Sequence, residues 1–239
     1  MKKTALLLFL IVAVATAQSQ GEKINGNGNV TTKKIKTADY DKIMVAGFFD
    51  VELVSGNEGD ISLEGEENLL EFIKIDVEGH TLKISVEKGK RINVSSGKKI
   101  VVTVPFTTLN EVSLSGSGDV NSKNTIKSTH FETTLTGSGD VNLDVDTDSL
   151  KANLTGSGDL RIKGRAGSLS CKVTGSGDFD AYDCKSSTVD ASVSGSGNCK
   201  VTCDDNLTGR ITGSGDINYK GDPKKKDTKV SGSGSISKA

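Results

Sequence analysis

Residues 133–178 read TTLTGSGDVNLDVDTDSLKANLTGSGDLRIKGRAGSLSCKVTGSGD. Gly-Ser-Gly-Asp occurs three times in this stretch, opening at Gly137, Gly156 and Gly175. Outward in both directions the tripeptide continues, at Gly116, Gly195, Gly213 and Gly232, with steps of 21, 19, 19, 20, 18 and 19 residues. A fixed period near 19 is read before any local motif, because it decides the architecture. Let the first Gly of each copy be position zero. Position −2 is always aliphatic: Leu114, Leu135, Leu154, Val173, Val193, Ile211, Val230. Position +4 is always apolar: Val120, Val141, Leu160, Phe179, Cys199, Ile217, Ile236. Position −4 is small or short: Val112, Thr133, Ala152, Cys171, Ala191, Gly209, Thr228.

Parity gives the geometry. Even positions on both sides of the tripeptide are apolar or small. Position −1 is always Ser or Thr, and +3 is Asp119, Asp140, Asp159, Asp178, Asn198, Asp216 or Ser235. Alternation with period two means a strand on each side with one face buried. One repeat cannot bury that face alone, but stacked repeats can, at ~4.8 Å per coil, or roughly 34 Å for seven. The expected fold is therefore all-β: a single-stranded parallel β-helix, or β-solenoid, with a ~19-residue repeat marked by Gly-Ser-Gly corners. The corner glycines are Gly116, Gly118, Gly137, Gly139, Gly156, Gly158, Gly175, Gly177, Gly195, Gly197, Gly213, Gly215, Gly232 and Gly234. Reversing the chain in three residues demands positive φ or close backbone approach, both open to Gly. Asp at +3 and Ser/Thr at −1 are placed to satisfy corner amides. Carboxylates stacked ~5 Å apart repel by about 3 kcal/mol at an effective dielectric of 20, so amide hydrogen bonds, solvent or a cation must offset them.

Composition agrees. Of 239 residues 28 are Gly, and half of these lie in the seven tripeptides; there is no Trp and Pro occurs twice. Collagen is excluded, since Gly does not recur every third residue. A narrow core of stacked columns explains the absent Trp. The net charge of −1 gives no electrostatic case for nucleic acid.

Residues 1–17 carry a basic start (Lys2, Lys3), an apolar run from Ala5 to Ala15 and a small-x-small end at Ala15-Thr16-Ala17. This reads as a secretory signal peptide, too short to span a membrane as a helix. After its removal 28 basic residues face 31 acidic ones, a net of −3. No later segment reaches spanning length. The expected organisation is signal peptide 1–17, N-terminal segment 18–36, and one β-helical domain 37–239. Within that domain a non-repetitive strand region covers 37–108 and the repeats 109–239. In the strand region Ile43-Met44-Val45, Val51–Val54, Ile61–Leu63, Leu82–Val86 and Ile100–Val104 alternate as strands. Residues 67–75 read as its one helical turn. The turns fall at Ser55-Gly56-Asn57 and Glu78-Gly79-His80.

Candidate chemistry is sparse. His80 and His130 are the only histidines and read as turn or surface residues. No Gly-x-Ser-x-Gly elbow, phosphate loop or His-Glu-x-x-His motif occurs. Polysaccharide cleavage wants clustered acids with Lys or Arg in a groove, and sugar subsites want aromatics; the repeat columns do not assemble a groove with two or more acids and a base. A Gly- and Asp-rich corner invites comparison with Ca²⁺-binding β-rolls, but theirs recurs every nine residues and supplies both corners; one corner per ~19 residues leaves half the oxygen shell missing. No cofactor and no metal are expected. Four Cys in an exported chain allow disulfides. Cys184 and Cys203 are 19 apart, one coil, and are the candidate pair; Cys171 and Cys199 fit inward columns as free core thiols. The basic stretch KGDPKKKDTK at 220–229 reads as a solvated loop between the last two coils, with contact to an acidic surface such as a lipid or polysaccharide as the functional alternative.

The pattern of an apolar residue, Ser/Thr, then Gly-Ser-Gly-Asp and another apolar residue, repeated after a strand region, resembles the putative autotransporter adhesin head GIN-domain family. The first half resembles it too, through Tyr40-Asp41-Lys42-Ile43, Gly47-Phe48-Phe49-Asp50-Val51, Gly79-His80-Thr81-Leu82-Lys83-Ile84 and Val104-Pro105. The resemblance covers residues 35–239. It implies an exported, Bacteroidetes-type β-helical domain, similar to pectin-lyase-like folds but without their catalytic residues. The expected function is non-enzymatic cell adhesion or scaffold contact, with a protein or glycan surface as partner, no nucleic acid and a possible homo-oligomer through the open end of the stack. A periplasmic structural or envelope module without external ligand is the first alternative, and a polysaccharide-active β-helix enzyme the second. The product is expected in the periplasm, at the cell surface or secreted.

Overall fold

A computed structural model describes residues 21–239. The signal-peptide reading of residues 1–17 lies outside the described residues. The rest is a β-solenoid of stacked parallel strands about 19 residues apart. One coil shows how the sequence makes it. The strand Asp140–Gly156 buries Val141, Leu143, Val145 and Thr147, then Leu150, Ala152 and Leu154. The inward parity switches once, between Thr147 and Leu150, so the continuous strand bends there and forms a second corner opposite Gly-Ser-Gly. Each coil thus lays one strand into each of two sheets, and the even columns of the repeat meet between them.

Register holds along the whole stack. Gly116 pairs with Gly137, then Gly156, Gly175, Gly195, Gly213 and Gly232 in turn. The −4 and +4 columns face each other across the core. A methyl added to Gly209 would lie 3.7 Å from Ile217 Cδ1 in its own coil and 3.0 Å from Ile236 Cδ1 in the next. Small residues at −4 therefore make room for large ones at +4. Coils of 20 and 18 residues interrupt this regularity, and the sheet absorbs them as bulges between Ala181 and Lys185 and between Ser186 and Thr188.

The stack begins earlier than the first Gly-Ser-Gly. Gly47 pairs with Gly116, with Lys42–Gly47 beneath Glu111–Gly116 and Asp50–Ser55 beneath Asp119–Ser122. Gly47-Phe48-Phe49-Asp50 is thus an eighth corner, with Phe48-Phe49 in place of Ser-Gly. Below it Thr81–Val86 and Val101–Phe106 continue the two sheets in parallel. Antiparallel strands then close this end: Ile73–Glu78 on Thr81–Val86, and Asp60–Glu66 on Val101–Phe106 with Val30–Lys36 outside it. Residues 22–25 pair in parallel with Lys90–Asn93 as a separate two-stranded sheet. The helical reading of 67–75 was too long: the helix is Glu67–Leu70, and Ile73–Glu78 is a strand. Alternation of Ile73 and Ile75 toward the core, both buried, decides for the strand.

At the other end Lys225–Gly232 pairs with the coil below, and every residue in it is exposed. The core is narrow; Tyr40, Phe49 and Phe179 are the largest fully buried side chains. Tyr40 donates its hydroxyl to the Pro105 carbonyl at 2.5 Å, and burial together with the Glu58 carboxylate pushes its phenol well up. Among the described residues no helix is long and apolar enough to cross a membrane.

Candidate functional site: the corner ladder and the face beside it

The two glycines of a corner are needed for different reasons. Gly156 has φ +126°, and Gly158 has no positive φ but no room. A Cβ on Gly158 would lie 1.9 Å from the Gly139 carbonyl oxygen of the coil below. That closeness serves hydrogen bonding. The Gly137 carbonyl accepts from Ser157 N–H at 2.9 Å and from Gly158 N–H at 3.2 Å, and the same fork recurs in every later coil.

The Asp column is a hydrogen-bonded ladder. Asp140 N–H donates to Asp119 Oδ1 (3.2 Å), Asp159 N–H to Asp140 Oδ1 (3.0 Å) and Asp178 N–H to Asp159 Oδ1 (3.3 Å). Asn198, Asp216 and Ser235 extend it: their N–H groups reach Asp178, Asn198 and Asp216 at 2.8, 3.1 and 2.7 Å. One oxygen of each rung is therefore committed to a backbone donor, which offsets the stacking repulsion. Arg161 adds a counter-charge, its Nη2 lying 2.6 Å from Asp159 Oδ2 and its Nη1 3.7 Å from Asp140 Oδ2. Among the described residues no three His, Cys, Asp or Glu converge to hold a metal ion. Main-chain carbonyls and the +3 side chain thus serve the corner amides.

Two residues beyond the ladder, position +5 points outward. Register aligns Asn121, Asn142, Arg161, Asp180, Lys200 and Asn218 in one column. Asn142 donates its amide to Asn121 at 2.9 Å, and Lys200 Nζ lies 3.8 Å from Asp180. The first four of these line a groove of about 340 Å³. The bulge after Ala181 makes its wall: the inserted residue lifts Tyr182 and Asp183 out of the stack, and Asp183 lines the groove. Beside the groove Tyr182 is half-buried, with Lys220 Nζ 4.1 Å and Lys200 Nζ 5.9 Å from its ring centroid. Burial, with Asp180 alongside, pushes the Tyr182 phenol up. Amides, cations and anions on rigid strands can bind a polar ligand by hydrogen bonds and ion pairs, with Tyr182 at their edge holding Lys220 over its ring. Sequence reading missed this column because odd positions register only as polar; the signal was the run of amide and alternating charge at +5.

The other residues singled out in the sequence fall apart. His80 occupies a two-residue hairpin turn with Gly79, at φ 62° and 54°, and His130 lies exposed on a strand. The expected Cys184–Cys203 pair does not form, and all four cysteines are free and buried. Cys184 lies opposite Gly164, and Cys203 opposite Ser186, because the bulges shift the register between them. Instead Cys171 and Cys199 meet, with sulfurs 3.3 Å apart. A buried carboxylate, Glu66, also escaped the sequence reading. It accepts from Gly28 N–H (2.6 Å), Ser95 Oγ (2.6 Å) and Ser95 N–H (2.8 Å), which hold it below the usual carboxylate range. Gly26 leaves the space, since a Cβ there would sit 2.1 Å from this carboxylate. Glu66 is an anchor of the N-terminal segment, not a site.

No curated protein matches the chain. Among solved structures, a putative adhesin from Bacteroides fragilis superposes with a TM-score of 0.82 at 25% identity, over 90% of this chain and 100% of that one. A putative lipid binding protein from Parabacteroides distasonis gives a TM-score of 0.75 at 29% identity, over 91% and 100%. A putative adhesin from the same species gives 0.73 at 23% identity, over 91% and 100%, and shares the fold. The family model described as putative auto-transporter adhesin, head GIN domain, matches residues 39–223, from the approach to the Gly47 corner through the sixth Gly-Ser-Gly coil, and the chain belongs to that family.

Proposed function

We propose that this chain is an exported, non-enzymatic adhesion domain that holds a polysaccharide or protein surface against the +5 face of its coils. The observation that carries this reading is the groove of Asn121, Asn142, Arg161 and Asp180, walled by the Tyr182 bulge. Each coil repeats at the spacing of a β-sheet, so the face offers a periodic row of donors and acceptors to an extended partner. The adhesin relatives support binding as the task, and His80 and His130 lie apart, one in a hairpin turn and one exposed on a strand. The lipid-binding name of one relative fits this groove less well, because Asn121, Asn142, Arg161, Lys163, Asp180 and Asp183 outnumber Leu143 and Ile162 among the residues that line it. Chains lacking residues 1–17 are to be screened against immobilised glycans and envelope proteins. Arg161→Ala is expected to weaken a captured ligand roughly tenfold, as a central contact does. Equal binding by Arg161→Ala and Tyr182→Ala would move the site off this face. Protease shaving of intact cells separates a surface protein, which is removed, from a periplasmic one, which is spared.

A further inference from the structure

We propose that Cys171 and Cys199 are a disulfide-forming pair that staples the two sheets of the solenoid across its core. Their sulfurs are 3.3 Å apart, both side chains are buried, and they belong to different sheets. A bond of ~2.05 Å requires each sulfur to move by well under an ångström. The surroundings allow it. Cys171 stands between Ala152 and Ala191 in the −4 column, so nothing bulky flanks its sulfur. Cys199 stands in the +4 column, whose other members are Val120, Val141, Leu160, Phe179, Ile217 and Ile236. It is the one small residue of that column, and it falls where its partner across the core is also Cys. The offset of the two columns matches this contact, because Gly209 likewise faces Ile236 of the following coil.

The chemistry balances with a disulfide oxidant such as oxidised glutathione. One cysteine thiolate attacks the oxidant, releasing one thiol and leaving a mixed disulfide. The second thiolate displaces the other thiol. Two protons and two electrons leave the pair, and the oxidant is reduced to two thiols. Closure belongs to folding, before the core seals. Once buried, the Cys171 contact and desolvation hold the Cys199 thiol well above its ordinary range, so the reduced pair in the finished stack is a poor nucleophile.

Trypsin separates all four cysteines, into peptides 166–172, 173–185, 186–200 and 201–210. The purified chain, refolded with oxidised glutathione, is quenched in acid, alkylated unfolded and digested without reduction. The expected product is 166–172 joined to 186–200, with Cys184 and Cys203 alkylated. Four alkylated peptides, or 173–185 joined to 201–210, would overturn the proposal. Thermal melting gives a second readout. Reduction is expected to lower the melting temperature of the oxidised chain by about 5–10 °C. Cys171→Ala, which repeats its column neighbours, is expected to melt at one temperature with or without reductant; a reductant-dependent shift in that variant equal to the wild-type shift assigns it to other thiols and refutes the pair. Because the oxidant is supplied in vitro, the result judges the pairing and leaves export to the shaving experiment.

Discussion

Gly158→Ala tests the claim that the corners are held by backbone approach. The new Cβ would lie 1.9 Å from Gly139 O, whereas a carbon and a carbonyl oxygen ordinarily stay ~3.3 Å apart. The coils must therefore part by roughly 1.4 Å at this point. Ser157 N–H and Gly158 N–H, now 2.9 and 3.2 Å from Gly137 O, would be carried out of bonding range. Gly158 is buried, so water does not readily replace what is lost. The orphaned Gly158 N–H costs about 1–3 kcal/mol, and the Ser157 N–H, on an exposed residue, adds about 0.5–1.5 kcal/mol for one lost hydrogen bond; together these are a sizeable share of the roughly 5–15 kcal/mol typical of a folded domain. Gly97→Ala is the control. It has φ +74° but nothing within 4 Å of its Cβ, so it bears only the left-handed penalty of about 1–2 kcal/mol. Urea unfolding followed by far-ultraviolet circular dichroism gives both numbers, provided the slope is unchanged. If Gly158→Ala loses no more stability than Gly97→Ala, close approach is not what fixes glycine at the corner.

Two further substitutions probe the polar anchors. Asp178→Ala removes the acceptor shared by Asn198 N–H and Asn198 Nδ2 and should cost about 1–3 kcal/mol in urea; Asp178→Asn, which keeps an acceptor as Asn198 does one rung later, should cost less than half of that. Glu66 is depressed in the folded chain, so its contribution is complete above the unfolded value of ~4.3 and disappears as pH falls through the folded value. The melting temperature should therefore drop below about pH 4, and Glu66→Gln should start lower at pH 7 yet fall less steeply in acid; parallel pH profiles would remove Glu66 from the account.

The repeat was legible because its two signals are local: parity around each tripeptide, and equal spacing of like residues. Where either signal is broken, sequence reading fails for a physical reason. The Gly47 corner was hidden by Phe48-Phe49 and by 69 residues before Gly116, although Ile43, Val45, Val51 and Leu53 keep the parity and Asp50 keeps the +3 position. Cys184 and Cys203 deceived by plain counting. Measured from their own corners they stand at +9 and +8, because a 20-residue coil is followed by one of 18. Glu66 was invisible because its partners Gly28 and Ser95 lie 38 and 29 residues away. The groove depends on a bulge, and a bulge is a tertiary answer to one surplus residue. Function was the least legible, since outward columns bear no folding constraint that would mark them.

Like-for-like corner pairing also sets how such a chain can change length over evolutionary time. Excising residues 157–175 would join Gly156 to Ser176 and recreate Gly-Ser-Gly-Asp at the seam, with Leu154 and Thr155 before it and Phe179 after it. Duplicating the same segment would do the converse. Either event alters the stack by one step of ~4.8 Å and leaves the antiparallel cap and the last coil as they were. The corner is thus a splice point, and unequal recombination between repeats that share it yields chains of different reach that need no compensating mutation in the corner.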